Sequence, residues 1–351
     1  MADYVKVAVD AMGGDNAPAE IVKGAVEAIQ AEKKIKVFLV GKEEQVKAEL
    51  AKYTYPQEQV EVVNATEVIA MAEPPVAAIR SKKDSSIVVG LNLLKEGKGD
   101  AFVSAGSTGA LLSGATLVVK RIRGIRRAAM CPQIPVQGGS ALLCDCGANA
   151  ECTPEYLLQF AYLANFSSQR VCGVEQPRVA LLNIGAESEK GDSLRRETYE
   201  RLQEAGKNGR IRFVGNVEPS DAMMGAADVI VADGFSGNIM LKSVEGTAKF
   251  LYSQLKTALT DTARHKLGAA LVKDGLQSFK KALDPNEVGG TPFLGISKPV
   301  IKAHGSSNAL AIQNAVRQAM AFASSGFVQA VEENVEYMRV EHEMEKQGEK
   351  A

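Results

Sequence analysis

The sequence carries almost no net charge: 41 Lys and Arg stand against 42 Asp and Glu, leaving −1 at neutral pH. That near-neutrality excludes a global field favouring nucleic acid or an anionic membrane, so any charged partner must be met by a local patch. Histidine is scarce, with His265, His304 and His342 the only three. Cysteine is present five times, an odd number, and never as C-x-x-C. No export signal precedes the apolar run at 5–9, so free thiols in a reducing cytoplasm are expected. Cys144, Cys146 and Cys152 lie close together in the sequence. Without C-x-x-C spacing or nearby histidines they read as small buried hydrophobes in a strand and turn, and no metal is expected. Other signatures are missing too. There is no G-x-S-x-G elbow, which counts against a serine hydrolase. There is no G-x-x-x-x-G-K-[ST] and no G-x-G-x-x-G, which weighs against nucleotide and dinucleotide binding. One uncharged stretch, 101–119, is nearly long enough to cross a bilayer. Its first half is Val103-Ser-Ala-Gly-Ser-Thr-Gly109. That composition reads as strand, loop and helix start, not as a span.

What the 351 residues do contain is an ordinary globular balance, 46% hydrophobic and 24% charged. Short runs rich in Val, Ile and Leu recur at 5–9, 37–40, 60–63, 101–103, 141–143, 179–182, 211–214 and 229–231. Continuous apolar runs of this length fit strands buried on both faces. Helix-like stretches at 19–30, 43–52, 154–165 and 193–204 alternate with them. The alternation predicts an α/β fold with a largely parallel sheet flanked by helices. No linker or tandem repeat interrupts it. The expected organisation is one catalytic unit over 1–331, which could comprise two closely joined subdomains, with a helical hairpin at 238–283. A strongly charged tail follows at 332–351, expected as a solvated helix that frays.

Gly, Asp, Asn and Ser cluster at the C-terminal ends of the strands, where open α/β sheets bind ligands. Six loops stand out. The first is Asp10-Ala-Met-Gly13-Gly14-Asp15-Asn16, with Pro18 opening a helix. The second is Ser104-Ala-Gly106-Ser107-Thr108-Gly109, whose helix-start N–H groups and two hydroxyls suit an anion. Capping by Ser107 or Thr108 is compatible with that role, because other N–H groups stay free. The third holds Asp145, Gly147 and Asn149; the fourth holds Asn183, Gly185 and Lys190, the one cation inside these loops. The fifth is Asp233-Gly234-Phe-Ser236-Gly237-Asn238, and the sixth is His304-Gly305-Ser306-Ser307-Asn308. Each alone reads equally well as a turn; six at strand ends argue for a site that holds phosphate. His304, the only histidine in such a loop, is a candidate acid or base, with a structural bond to a backbone carbonyl as the competing reading.

Together these residues resemble the bacterial phosphate acyltransferases of phospholipid synthesis (the PlsX family). The resemblance rests on Val9-Asp-Ala-Met-Gly-Gly-Asp15, Ser104-Ala-Gly-Ser-Thr-Gly109, Asp145-Cys-Gly-Ala-Asn149, Asp233-Gly-Phe-Ser-Gly-Asn238 and Lys302-Ala-His-Gly-Ser-Ser307, and runs from residue 4 to about 320. Two departures are visible: Ala186 stands where an acidic residue is expected, and Arg126 and Ala128 stand where an acidic residue and a proline are usual. The resemblance implies transfer of an acyl group from acyl carrier protein to inorganic phosphate, with no organic cofactor. It also implies a homodimer and a fold similar to phosphotransacetylases and the isocitrate/isopropylmalate dehydrogenase type. Phosphate is expected at Ser107 and Thr108 with help from Lys190. The acyl thioester is expected across the loops at 10–15 and 233–238, with Asn238 among the catalytic candidates and His304 protonating the departing thiolate. A site built from Gly, Ser, Thr and Asn suits a reaction whose nucleophile needs positioning and whose oxyanion needs N–H donors.

Two further segments bear on partners. Residues 255–283 read as two helices with a break near Lys273. Leu267, Ala270 and Leu271 share one face, and Val272, Leu276, Phe279 and Leu283 another, amid Arg264, His265, Lys266, Lys273, Lys280 and Lys281. Such a basic, apolar hairpin suits either an anionic membrane surface or a dimer or core contact. The family's peripheral membrane association favours the surface. The run Lys120-Arg-Ile-Arg123-Gly-Ile-Arg126-Arg127 suits docking of an acidic carrier protein or an ordinary solvated helix end. No aromatic residues interleave with it, so no nucleic acid is expected. The competing functions are a phosphotransacetylase using acyl-CoA, a dehydrogenase of related fold, and a non-catalytic scaffold that brings acyl carrier protein to the membrane.

Overall fold

The computed structural model describes residues 4–338, apart from the side chains of residues 278, 280, 282, 283 and 285. Twelve strands form among the described residues: β1 Val5–Asp10, β2 Ile35–Gly41, β3 Val60–Asn64, β4 Ala101–Ser104, β5 Ala129–Met130, β6 Gln133–Val136, β7 Gly139–Cys144, β8 Arg178–Leu182, β9 Arg212–Val217, β10 Val229–Val231, β11 Gly290–Leu294 and β12 Val300–Ala303. They make two sheets, one ordered β3-β2-β1-β4-β12-β11-β5 and one ordered β6-β7-β10-β8-β9. In the first, β3, β2, β1, β4 and β12 are parallel, and β11 runs antiparallel to both β12 and β5. In the second, β7, β10, β8 and β9 are parallel and β6 is antiparallel at the edge. The expected mainly parallel α/β architecture is therefore present, divided between two sheets.

The strands carry little polar alternation because both their faces are covered. Along β1, Val7 and Val9 enter one core while Ala8 enters another, the two-residue period of a pleated strand. The core of Val7 and Val9 continues through helix Pro154–Arg170, with Phe160, Tyr162 and Leu163, to Val229 and Val231 of the second sheet. One packed interior thus joins the sheets. The uncharged stretch at 101–119 resolves into β4, a helix at Thr108–Gly114 and a π-helical continuation at Ala115–Val119, as its composition required. Four strands escaped the sequence reading: β5 has two residues, β6 carries Pro135, β11 carries Pro292, and β12 is four residues long with Lys302 inside it.

Helix Gly234–Thr260 leaves the end of β10 and soon leaves the body of the protein, burying only Gly234, Gly237 and Met240. Two further helices, Ala263–Leu271 and Lys273–Leu283, complete an outlying arm with its break at Val272. The readings for Lys280 and Leu283 fall on side chains outside those described, and the tail reading falls largely on residues 339–351, also outside them.

Helices Ala19–Ala31 and Ala309–Ser324 cross at a glycine. A Cβ on Gly24 would collide with Ala309 O and lie 2.7 Å from Ile312 Cβ. Glu20 Oε2 accepts from Ala309 N–H at 2.7 Å at the same crossing. Gly24→Val is expected to force this pair apart and cost about 1–3 kcal/mol, read as a lowered urea midpoint at unchanged m-value.

Candidate active site

Three loops gather at the C-terminal edge of the first sheet because β1, β4 and β12 are neighbours there. Asp10 ends β1 and is buried. Its carboxylate accepts from Ser104 Oγ at 2.6 Å and from Met12 N–H at 3.1 Å, and Ser104 Oγ accepts from Gly106 N–H at 3.0 Å. Burial pushes the Asp10 carboxyl up, against the pull of these donors. The approach is close enough to demand glycine. A Cβ on Gly13 would strike Asp10 Oδ2 and sit 2.7 Å from Gly106 N, and Gly14 has φ +98° with Gly305 O only 2.9 Å from its would-be Cβ. Asp15 N–H donates to Gly305 O at 2.8 Å, and Asn16 Nδ2 donates to Ser307 O at 3.1 Å. Ser107 caps helix Thr108–Gly114 by accepting from Ala110 N–H at 3.4 Å, leaving Thr108 and Gly109 half-buried at its first turn.

A second group gathers at the ends of β7, β8 and β10. Asp145 is fully buried and accepts from Met130 N–H at 2.8 Å, Ala148 N–H at 3.2 Å and Asn149 N–H at 2.7 Å. Asn149 Nδ2 donates to the same carboxylate at 3.0 Å and to Ala128 O at 2.8 Å. Gly234 and Gly237 permit the fifth loop to press on the third: a Cβ on Gly234 would lie 2.8 Å from Asp145 Oδ2, and one on Gly237 would collide with Asp145 O. Asp233 caps helix Gly234–Thr260 by accepting from Phe235 N–H at 3.0 Å and Ser236 N–H at 2.9 Å. Asn238 is exposed, its amide oxygen 3.8 Å from where a Gly147 Cβ would stand. Asn183 is buried and braces the fourth loop, its Nδ2 donating to Lys190 O at 3.1 Å, while the Lys190 side chain is exposed.

His304 stands in the sixth loop, after β12. Ser306 N–H donates to His304 Nδ1 at 3.2 Å, with Ser306 Oγ 2.8 Å from the same nitrogen. Nδ1 is thereby an acceptor, so the neutral ring carries its proton on Nε2. Partial desolvation holds the pKa below its usual value, helped by Lys302, Lys242 and Lys249 and opposed by Glu245. Three of those four charges lie on helix Gly234–Thr260, so the sixth loop stands beside the helix that the fifth loop opens.

The candidate residues of the sequence reading fall into two sets, at the strand ends of separate sheets. That reading paired Lys190 with Ser107 and Thr108, and these stand on opposite sheets. Leu267, Leu271, Val272 and Lys273 lie apart on the outlying arm. Two residues were missed. Arg195 donates to Ser236 Oγ at 2.8 Å and to Asp192 Oδ2 at 2.9 Å, and pairs with Asp233; nothing in the sequence separates it from Arg196 on the same helix. Lys302, quoted in the family motif but not as a site candidate, is buried within β12, two residues ahead of the sixth loop. The nearby thiols are inert packing groups: Cys144 and Cys146 are buried with pKa values driven up by desolvation, and Cys152 is pushed up to about 12.

The His304 geometry has a direct check. In a histidine NMR titration of the folded protein, the Nε2–H tautomer is expected at neutral pH. Protonation is expected below the unperturbed value of about 6.5. An Nδ1–H signal, or a midpoint at or above that value, would contradict the arrangement.

The sequence matches the family model described as "Fatty acid synthesis protein" over residues 5–330. It is 47% identical over 330 residues to the phosphate acyltransferase of Clostridium acetobutylicum, covering 94% of this chain and 98% of that one. It is 46% identical over 332 residues to the phosphate acyltransferase of Caldanaerobacter subterraneus subsp. tengcongensis, covering 95% and 98%. Among solved structures, a phosphotransacetylase from Streptococcus pyogenes shares the fold at a TM-score of 0.60, with 20% identity and 95% of each chain covered. The EutD phosphotransacetylase from Staphylococcus aureus does so at 0.59, with 17% identity and 92% and 95% covered. The chain belongs to the bacterial phosphate acyltransferase family and is an acyltransferase.

Proposed function

We propose that this protein transfers a long-chain fatty acyl group from acyl carrier protein to inorganic phosphate, giving the acyl phosphate used in phospholipid synthesis. The observation that supports the reading is the set of glycine-rich loops at the strand ends of both sheets, in a chain of this family. A phosphate oxygen attacks the thioester carbonyl, the C–O bond forms, and the C–S bond breaks with its electron pair leaving on sulfur. Phosphate needs no strong base to attack; it needs to be held in line. The carbonyl oxygen becomes an oxyanion, for which aligned N–H donors suffice, each worth about 3–4 kcal/mol in the transition state. Ser107, Thr108 and Gly109 offer such donors at a helix start, and Lys190 and Asn238, exposed at the strand ends of the other sheet, are the further candidates. The neutral Nε2–H of His304 suits a hydrogen bond to the oxyanion or to the departing sulfur. The buried carboxylates of Asp10, Asp145 and Asp233 act through the loops they hold, because an anion at contact distance would repel phosphate.

The carrier protein is proposed to dock on Arg121, Arg123, Arg126 and Arg127. These are exposed while Ile122 and Ile125 between them are buried. The run leads straight to Ala128, whose carbonyl holds Asn149 at the cleft. An acidic carrier on this strip would be steered by charge and sensitive to salt.

The outlying arm is proposed to serve both self-association and membrane contact. Phe250 and Leu251, 59% and 54% exposed on helix Gly234–Thr260, suit the face of a second copy in a homodimer. At the far end, Leu267 (67%), Leu271 (82%) and Val272 (52%) project beside exposed Arg264, Lys266 and Lys273, which suits peripheral binding to an anionic bilayer. Among the described residues no helix is long and apolar enough to cross a membrane.

With palmitoyl-acyl carrier protein, phosphate-dependent release of free thiol is expected, with acyl phosphate trapped by hydroxylamine. A folded protein that releases thiol only from palmitoyl-CoA would replace the donor, and one that releases none would remove the reading. Arg121→Glu with Arg123→Glu should raise the KM for the carrier substrate about tenfold and leave the phosphate KM unchanged. On the arm, Leu271→Glu with Val272→Glu should release the protein from anionic liposomes without altering its sedimentation. Phe250→Glu with Leu251→Glu should give monomers; a dimer that persists would count against that face.

A further inference from the structure

Lys302 is the only buried lysine or arginine among the described residues, at 7% exposure. It sits between Ile301 and Ala303 in β12, where its neighbours in the strand are wholly buried. Its ammonium donates to Ala105 O at 3.4 Å and to Ala303 O. Both partners are neutral carbonyls, and an ammonium has a third donor to place. Among the described residues no carboxylate forms an ion pair with it. A buried charge without an opposite charge in contact costs several kcal/mol. Burial accordingly lowers the Lys302 pKa to about 8. This unfavourable group lies where three loops converge: Ala105 belongs to the second, Asp10 and Asp15 of the first act on Lys302 electrostatically, and the sixth begins two residues later. The sixth loop holds another unmatched group, since Ser307 Oγ is buried at 2% exposure with no hydrogen-bond partner.

We propose that Lys302 is a catalytic residue that binds the acceptor, its free N–H donating to inorganic phosphate at the floor formed by the loops at 10–15, 104–109 and 304–307. The proposal rests on acyl transfer to phosphate as read above and supplies the cation that transfer needs on the Ser107 side of the cleft. Neither carboxylate that acts on Lys302 forms an ion pair with it among the described residues. Asp10 accepts from Ser104 and Met12, and exposed Asp15 is held through its N–H to Gly305 O. The third titratable neighbour, His304, is kept neutral in part by Lys302 itself. A phosphate dianion gives the buried ammonium its missing counter-charge and so favours its protonated form. Because the pKa is lowered, the cation is present below about pH 8 and lost as pH rises through that value. Phosphate affinity should follow.

The test compares wild type and Lys302→Met with both substrates varied. Methionine keeps the length and removes the buried charge, so the variant is expected to fold with an equal or higher Tm. Its KM for phosphate should rise on the order of 100-fold, with the KM for palmitoyl-acyl carrier protein within about twofold of wild type. An unchanged phosphate KM in the folded variant overturns the proposal. A second measurement needs neither turnover nor the variant: inorganic phosphate should raise the wild-type Tm at about pH 7 and much less at about pH 9.5. An equal shift at the two pH values overturns it as well. Wild-type protein that shows the pH-dependent shift but releases no thiol would retain Lys302 as the phosphate ligand while removing the proposed acyl transfer.

Discussion

Buried carboxylates at strand ends are what the rest of this structure depends on. Asp10, Asp145 and Asp233 each close a parallel strand, each is buried, and each turns its oxygens back onto donors of the loops at the strand ends. A carboxylate out of water must be satisfied by hydrogen bonds. Here the donors are mostly backbone N–H groups, so satisfying the charge fixes the loop. Asp145 reaches furthest, holding Met130 of one sheet, and Ala148 and Asn149 at the end of a strand of the other. Bonds from Cys146 N–H to Met130 O at 3.1 Å and from Asn149 Nδ2 to Ala128 O at 2.8 Å complete the tie between β5 and the third loop.

The glycines follow from the same constraint. Loops drawn inward by carboxylates leave no room for side chains at Gly13, Gly234 and Gly237, where any Cβ would meet a carboxylate or a neighbouring backbone. Their role is steric as much as conformational, since only Gly14 in the first loop needs a positive φ. The result is a wall of main-chain atoms rather than side chains. Such a wall can approach a small anion closely and stabilise an oxyanion without rearranging. An acyl transfer to phosphate asks for little else beyond a counter-charge, the role proposed above for Lys302 in the sheet and Lys190 in an exposed loop.

The arm formed by Gly234–Thr260 and the two helices after it obeys different rules. Its first turn is locked to the site by Asp233, Arg195 and the pressed glycines. Beyond Met240 it buries almost nothing in its own chain. A helix this long with apolar residues left outside suits contact with a partner. The cap that opens the helix at the candidate site and the faces that it offers outward are therefore one continuous helix.

The sequence by itself determined the elements whose signal is local. The eight apolar runs became strands, most of them buried on both faces, with β3 and β9 half-exposed at sheet edges, and Asp, Ser and Asn before helices became caps because they accept from free N–H groups. The six polar glycine loops stood out at the strand ends, and the motifs they carry were enough to name the family. Tertiary structure alone decided the rest. Whether the strands form one sheet or two depends on pairings between residues far apart, and β11 and β12 are too short and too proline-marked to announce themselves. Arg195 looks like any arginine on a polar helix until Asp233 is brought to it. Lys302 looks like a solvated lysine until β4 and β11 close over β12 on either side; whether an ammonium is in water or buried is set by what packs around it, and no local pattern encodes that.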